Sequence, residues 1–275
     1  MNKTFLSTAL LAYSLAAAAQ TVSSPDGNVV VAFSLDGSRP QYAVTYKGRD
    51  VILPSHLGLE LARDKHASRG LDETDLMDGF TVAGVKLDTF DETWQPVWGE
   101  TRDIRNHYNE MAVTLAQTGG RTMVVRFRVF DDGVGFRYEF PQQKDLVYFL
   151  IQDERTEFRM TGDHTAWWLP GDYDTQEQMT QESRLSEIRS RFHDAVNWGN
   201  SSVAVFSPTG VQTSLQMRTA DGLYINLHEL RASIMPPCTS NLSMPRPRPS
   251  PPSSKARATP TPRHPHPRAS PCLRP

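Results

Sequence analysis

The strongest constraint on the fold is a stretch of alternating side chains in the middle of the chain. Apolar residues occupy every second position of Val125–Val129, with arginines between them. The turn Asp131-Asp132-Gly133 follows, and the alternation resumes over Val134–Phe140. Alternation on both sides of a glycine-containing turn is typical of two antiparallel strands joined as a hairpin. We therefore predict that these two segments pair and bury one common face.

Other short runs extend this pattern over most of the chain. We predict further strands in Asn28–Leu35, Gln41–Tyr46, Val51–Leu53, Leu57–Leu61, Val203–Phe206, Val211–Met217 and Leu223–Leu227. A helix is predicted over Gln181–Val196, because apolar residues recur there at helical spacing. Many short strands separated by turns indicate a mainly all-β fold, a large antiparallel β-sandwich with one short helix.

The charge distribution divides the chain into three segments. Met1–Ala19 is an apolar leader, and Gln20–Leu230 carries all 31 acidic residues against 20 Lys and Arg, a formal charge of −11. Arg231–Pro275 contains 13 of the 20 prolines, eight Lys and Arg, and no acidic residue. An acidic body argues against a nucleic-acid partner, because phosphate binding needs a clustered basic surface.

The apolar leader Met1–Ala19 predicts that the protein is exported from the cytoplasm. Lys3 precedes a mostly apolar stretch that ends in Ala17-Ala18-Ala19, the pattern of a cleaved signal peptide. A membrane-spanning helix would need about 20 apolar residues, more than this stretch offers. We therefore expect a periplasmic or secreted protein with no membrane partner. Cys238 and Cys272 both lie in the tail, so the body must depend on a hydrophobic core.

Two segments are candidates for binding chemistry. In Trp94–Glu100, followed by Arg105–Glu110, indoles and amides could form a sugar-binding surface. Two tryptophans buried at a sandwich edge are the alternative that composition favours. Thr165–Glu177 has three carboxylates in six positions, which could bind a hard cation such as Ca²⁺. A solvated acidic turn is the favoured alternative on spacing alone.

Longer strings carry a family resemblance. The segments concerned are Phe90–Glu100, Ile104–Glu110, Gly133–Pro141, Asp163-His164, Gly171–Glu177, Ser183–Arg189, Ser207–Gln212 and Asp221–Glu229. They resemble the N-terminal domain of glycoside hydrolase family 97. Within that family they are similar in character to the periplasmic α-glucosidases of starch-utilisation systems. The resemblance implies an N-terminal β-super-sandwich, followed in the family by a catalytic (β/α)₈ barrel and a small β-domain.

The resemblance also implies a chemistry. The family hydrolyses α-linked glucosides or galactosides with two barrel carboxylates and an active-site Ca²⁺. The sandwich covers the barrel mouth and contributes one calcium ligand, which residue matching assigns to Glu177. Because the resemblance stops before the barrel, we expect no catalytic residue in this chain. Its natural packing partner is then the missing barrel, and α-linked oligosaccharide is the substrate of the parent enzyme.

Two alternatives to such a truncated domain remain. One is a free-standing carbohydrate-binding sandwich that uses Trp94, Trp98, Trp167 and Trp168 as its platform. The other is an interaction protein that acts through its basic tail. For Arg231–Pro275, we expect a disordered arm, and we favour an origin in translation out of frame over a selected basic segment.

Overall fold

The computed structural model describes residues 19–62, 75–117, 119–144, 146–147, 149–205 and 210–229. The predicted signal peptide, apart from Ala19, and the predicted tail lie outside these residues. Within them, no helix has the length and apolar character needed to cross a membrane.

The described residues form strands connected by turns and longer loops, with one α-helix. The strands are β1 (Gln20–Ser23), β2 (Val29–Asp36), β3 (Arg39–Tyr46), β4 (Arg49–His56), β5 (Leu59–Leu61), β6 (Phe80–Trp94), β7 (Ile104–Gln117), β8 (Thr122–Phe130), β9 (Gly133–Glu139), β10 (Ile151–Glu154), β11 (Arg159–Met160), β12 (Thr165–Trp168), β13 (Gln181–Arg184), β14 (Leu215–Arg218) and β15 (Tyr224–Leu227). A 3₁₀ turn, Leu185–Glu187, leads into α1 (Ile188–Ala195).

The strands form antiparallel sheets, which confirms the predicted fold class. The first sheet has the order β1-β2-β3-β4-β11, and the second has the order β6-β7-β8-β9. A third sheet has the order β13-β12-β14-β15, and β5 pairs with β10. The predicted hairpin is present as β8 and β9, in which Phe127 lies opposite Phe136.

The main core lies between the first and second sheets. Phe33 on β2 and Tyr42 on β3 lie 6.3 and 6.1 Å from Phe127 on β8, measured between ring centroids. Tyr42 also lies 5.4 Å from Phe136 on β9. These contacts join the inner faces of two sheets, as expected for a sandwich whose strands alternate inward and outward side chains.

The predicted helix is wrong over its first four residues. Gln181–Arg184 forms β13, which pairs with β12 so that Gln181 lies opposite Trp168. The helical spacing is real, because Leu185, Ile188 and Phe192 are all buried. The helical segment nevertheless begins after Arg184, whose backbone N–H donates to the Glu187 carboxylate at 3.0 Å in a capping box.

The long hairpin formed by β6 and β7 was not predicted. Its strands pair from Phe80 opposite Gln117 to Trp94 opposite Ile104. β7 contacts β1 of the first sheet and its inward residues are buried, whereas β6 has no comparable contact with that sheet and is mostly exposed. Leu87 on β6 is consequently 61% exposed, although it points to the same face as the fully buried Leu115.

A network of charged side chains crosses the outer face of the second sheet. Arg126 donates two hydrogen bonds to Glu139, at 2.7 and 2.9 Å, and also pairs with Glu110. Arg128 donates to the other oxygen of Glu110 at 2.8 Å. The hydrogen bonds from Arg126 are the main cause that lowers the pKa of Glu139 to about 2. The charges therefore stabilise one another across three neighbouring strands.

We expect two leucines of the second sheet to differ in their contribution to stability. Leu115→Ala should lower the free energy of unfolding of the full chain by roughly 2–5 kcal/mol, because it leaves a cavity in the core. Leu87→Ala, the matched control on the same face, should change it by less than about 0.5 kcal/mol. Urea denaturation followed by circular dichroism measures both. Equal losses would mean that β6 is covered in solution.

The carboxylate of Glu139 should make stability depend on pH. Its pKa in the folded chain is about 2, below the ordinary value of 4.5, so its stabilisation is complete above pH 4.5 and is lost as the pH falls towards 2. Glu139→Gln should cost about 1–2 kcal/mol at neutral pH, with the difference from wild type vanishing in acid. Urea denaturation across this pH range measures it. The exposed Glu92→Gln serves as control, and a pH-independent difference for Glu139→Gln would contradict the prediction.

Candidate functional site

The predicted metal-binding segment forms the connection between β12 and β13. Isolated bridges attach this loop to the chain after α1, with Pro170 opposite Val211 and Asp172 opposite Val205. The Gly171 N–H donates to the carbonyl of Gly210 at 2.6 Å. The loop is thus tied to neighbouring backbone at its start.

Asp172 organises the loop through its carboxylate. The side chain is buried, and Oδ1 accepts hydrogen bonds from the backbone N–H groups of Asp174 at 2.9 Å and Thr175 at 3.2 Å. The N–H of Ala204 reaches both oxygens, at 3.1 and 3.0 Å, and the side-chain amide of Gln178 donates to Oδ2 at 3.3 Å. A carboxylate occupied in this way holds backbone in place rather than coordinating a cation.

Glu177 lies on the outer side of the same loop. Its side chain is exposed, and its backbone N–H donates to the Thr175 hydroxyl at 3.0 Å. The Asn200 side-chain amide donates to Glu177 Oε2 at 3.3 Å, and to the Thr175 hydroxyl at 3.4 Å. Glu177 therefore presents a carboxylate to solvent from a loop with a defined backbone.

The three loop carboxylates do not converge on one point as a calcium site would require. Asp172 is buried, whereas Asp174 and Glu177 are exposed. Within the ranges that the structure describes, no three His, Cys, Asp or Glu residues are grouped so that they could hold a metal ion. Ca²⁺ takes about six to eight oxygen ligands, and one glutamate supplies at most two of them. The described residues alone therefore do not fit a complete calcium site.

The tryptophans of Trp94–Glu100 are exposed, so the expectation that both are buried is wrong. Trp94 ends β6 and is 48% exposed, and Trp98 in the following turn is 88% exposed. The reason is tertiary, since the tip of the β6–β7 hairpin extends past the first sheet. Nearer the core, Phe90 stacks on Tyr108 with ring centroids 5.2 Å apart.

The adjacent pair Trp167 and Trp168 is divided between the two faces of β12. Trp168 is 1% exposed, stacks on Phe192 at 6.3 Å, and donates to the Ser183 hydroxyl at 2.9 Å. Trp167 points to the opposite face, where its ring lies nearly parallel to that of Tyr224. The proposed four-tryptophan platform is therefore not a single surface. Tyr224 was not predicted as a site residue, although the alternation of β14 and β15 could have placed it beside Trp167.

Comparisons with known proteins point to one family. A family model described as Glycosyl-hydrolase 97 N-terminal matches residues 22–253. The structure is similar to a glycoside hydrolase family 97 enzyme from Pseudoalteromonas sp. strain K8, at a TM-score of 0.60 and 32% identity over 75% of this chain. Complexes of an enzyme of that family from the same strain with panose and with acarbose match at a TM-score of 0.59 and the same identity and coverage.

A curated relative extends the comparison. It is a retaining alpha-galactosidase from Bacteroides thetaiotaomicron, 25% identical over 146 residues, or 53% of this chain. The chain spans only 20% of the length of that relative and 28% of the Pseudoalteromonas enzyme. The similarity therefore concerns one part of much longer proteins.

Removing the Asp172 carboxylate should loosen the loop that carries Glu177. Asp172→Ala leaves several buried or partly buried N–H groups without an acceptor, and we expect a loss of about 1–3 kcal/mol in the free energy of unfolding. Hydrogen exchange at the amides of Asp174, Thr175 and Ala204 should accelerate. Asp174→Ala, an exposed change in the same loop, is the control. Unchanged exchange in Asp172→Ala would contradict the assigned role.

Proposed function

Because the chain belongs to the glycosyl-hydrolase 97 N-terminal family, we propose that it is the N-terminal domain of an exported α-glycosidase that hydrolyses α-linked oligosaccharides. The observation that carries the proposal is the family match over most of the chain. An α-glucoside is favoured as substrate, since the 32% identical structures hold panose or acarbose, whereas the galactosidase relative is 25% identical.

On this proposal, cleavage of the glycosidic bond takes place in a part of the enzyme that lies outside the present chain. Glycosidases generally cleave with two carboxyl groups on either side of the scissile bond, and their separation determines the stereochemical outcome. The relatives are more than twice as long as this chain, which leaves room for such a catalytic domain. On this proposal the chain by itself does not hydrolyse glycosides.

The same proposal gives Glu177 a role in binding Ca²⁺. Its exposed carboxylate projects from a loop whose backbone is fixed by Asp172, so it is available to a facing domain. The Asn200 amide orients one oxygen of Glu177 and no hydrogen bond of the described residues occupies the other. The remaining ligands would come from the catalytic domain, which the sandwich covers as a cap. A bound Ca²⁺ would supply positive charge beside the sugar.

A chimeric enzyme tests this role. We replace the N-terminal domain of the Pseudoalteromonas enzyme with residues 20–229 of this chain and measure hydrolysis of panose against Ca²⁺ concentration. Glu177→Gln should raise the Ca²⁺ concentration for half-maximal activity by roughly 10–100-fold or more, because even the loss of a group that only orients a metal ligand typically costs that much affinity. Asp174→Asn, an exposed change in the same loop, should leave it unchanged.

The isolated chain provides the complementary measurement. Since one glutamate cannot complete a calcium site, millimolar Ca²⁺ should leave its melting temperature unchanged. A clear calcium-dependent shift would mean that the chain holds a complete site by itself. An active chimera that is indifferent to Glu177→Gln would remove Glu177 from the proposal while leaving the domain assignment in place.

A further inference from the structure

One face of the third sheet remains open to solvent in the described residues. Alternation in β12, β13, β14 and β15 sends Trp168, Met217 and Ile225 inward. The cross-strand register brings the opposite set together on the outer face, namely Glu182, Arg184, Thr165, Trp167, Gln216, Arg218, Asn226 and Tyr224. This set, which we call the open face, combines two aromatic rings with amides and charged groups.

The two rings of the open face are stacked nearly parallel to one another. Trp167 and Tyr224 lie 6.2 Å apart between ring centroids, with only 18° between their planes. Tyr224 is 54% exposed, and the Trp167 indole N–H donates to Glu182 at 3.2 Å, which fixes the ring. The exposed ring of Tyr224 and the fixed, partly buried ring of Trp167 thus offer an apolar contact at little entropic cost on binding.

Hydrogen-bonding groups surround this surface. Gln216 lies directly opposite Trp167 on β14, and Asn226 lies opposite Gln216 on β15, so two exposed amides continue the row. The Arg218 guanidinium lies 5.7 Å from the centre of the Trp167 ring and 6.0 Å from that of Tyr224. Among the described residues Arg218 has no ion pair, which leaves its N–H groups available as donors.

A concavity adjoins the rings at the Arg218 end. Its volume is about 580 Å³, and it is lined by Thr165, Arg184, Arg218 and the turn from Thr219 to Gly222. This volume falls in the range of about 300–1,000 Å³ that is typical of small-molecule sites. Asp221 in the turn is paired with Arg49, so that its charge is already balanced. The concavity therefore offers guanidinium and hydroxyl groups beside an aromatic surface.

We propose that the open face binds a neutral oligosaccharide. A sugar ring would place its apolar C–H face on Trp167 and Tyr224, while its hydroxyls would accept from Arg218 and exchange hydrogen bonds with the amides of Gln216 and Asn226. Opposite charges are interspersed on this face and the body carries a formal charge of −11, which suits an uncharged polyhydroxyl ligand rather than a polyanion. The choice of an α-linked glucose chain as ligand rests on the proposed function.

The test uses the full chain and maltohexaose. Titration in the millimolar range should quench tryptophan fluorescence in a saturable manner, with matching heat in calorimetry. Trp167→Ala and Arg218→Ala should each weaken binding by about tenfold or more, as expected for an anchor at the centre of a site. Trp98→Ala, which removes the exposed indole of the β6–β7 turn, is the matched control and should leave the affinity unchanged.

Melting curves of each variant show whether weakened binding results from unfolding. If Trp167→Ala fails to fold, Arg218→Ala still tests the inference. Absence of saturable binding by the wild-type chain would overturn the inference. Loss of binding in Trp98→Ala with retention in Trp167→Ala and Arg218→Ala would overturn it as well. Neither result changes the chimera experiment, whose readout is calcium-dependent hydrolysis, so failure of this inference and failure of the proposed function can be told apart.

Discussion

Tyr42 on β3 contacts Phe127 on β8 and Phe136 on β9, and this contact holds the inner faces of the first and second sheets together. Aromatic pairs of this kind contribute about 0.5–1.5 kcal/mol each beyond the area they bury. Because Phe127 and Phe136 lie opposite one another in the β8–β9 hairpin, fixing one ring fixes the register of the hairpin. A slip of one residue would turn the whole apolar face of the hairpin outward.

The two sheets differ in extent, and this difference decides which surfaces are available for binding. β7 is covered by the first sheet, while β6 and the turn that holds Trp98 extend beyond it. The third sheet has one buried face and one open face, so the neighbouring residues Trp167 and Trp168 have opposite environments. Trp168 contributes to the core, whereas Trp167 belongs to a surface that can meet a ligand.

The loop between β12 and β13 separates two carboxylates that look equivalent in the sequence. Asp172 is buried and occupied by backbone N–H groups, so its contribution is to the shape of the loop. Glu177 is exposed and carries one weak contact from Asn200. Asp172 positions the loop and Glu177 is left available to bind. This arrangement suits the proposed domain, which would provide a single ligand to a facing domain. It also explains why the three acidic residues of the loop do not form a calcium site by themselves.

The sequence alone determined the strand alternation, the β8–β9 hairpin and the mainly antiparallel β class, because each depends on neighbouring residues and a period of two. It also carried the family resemblance, because that depends on strings of adjacent residues such as Gly171–Glu177. It could not determine that Gln181–Arg184 is a strand, since its pairing partner β12 lies more than ten residues earlier in the chain. Nor could it determine the exposure of Trp94 and Trp98, or the pairing of Trp167 with Tyr224. Burial of a side chain depends on which sheet lies opposite it, and only the tertiary structure decides that.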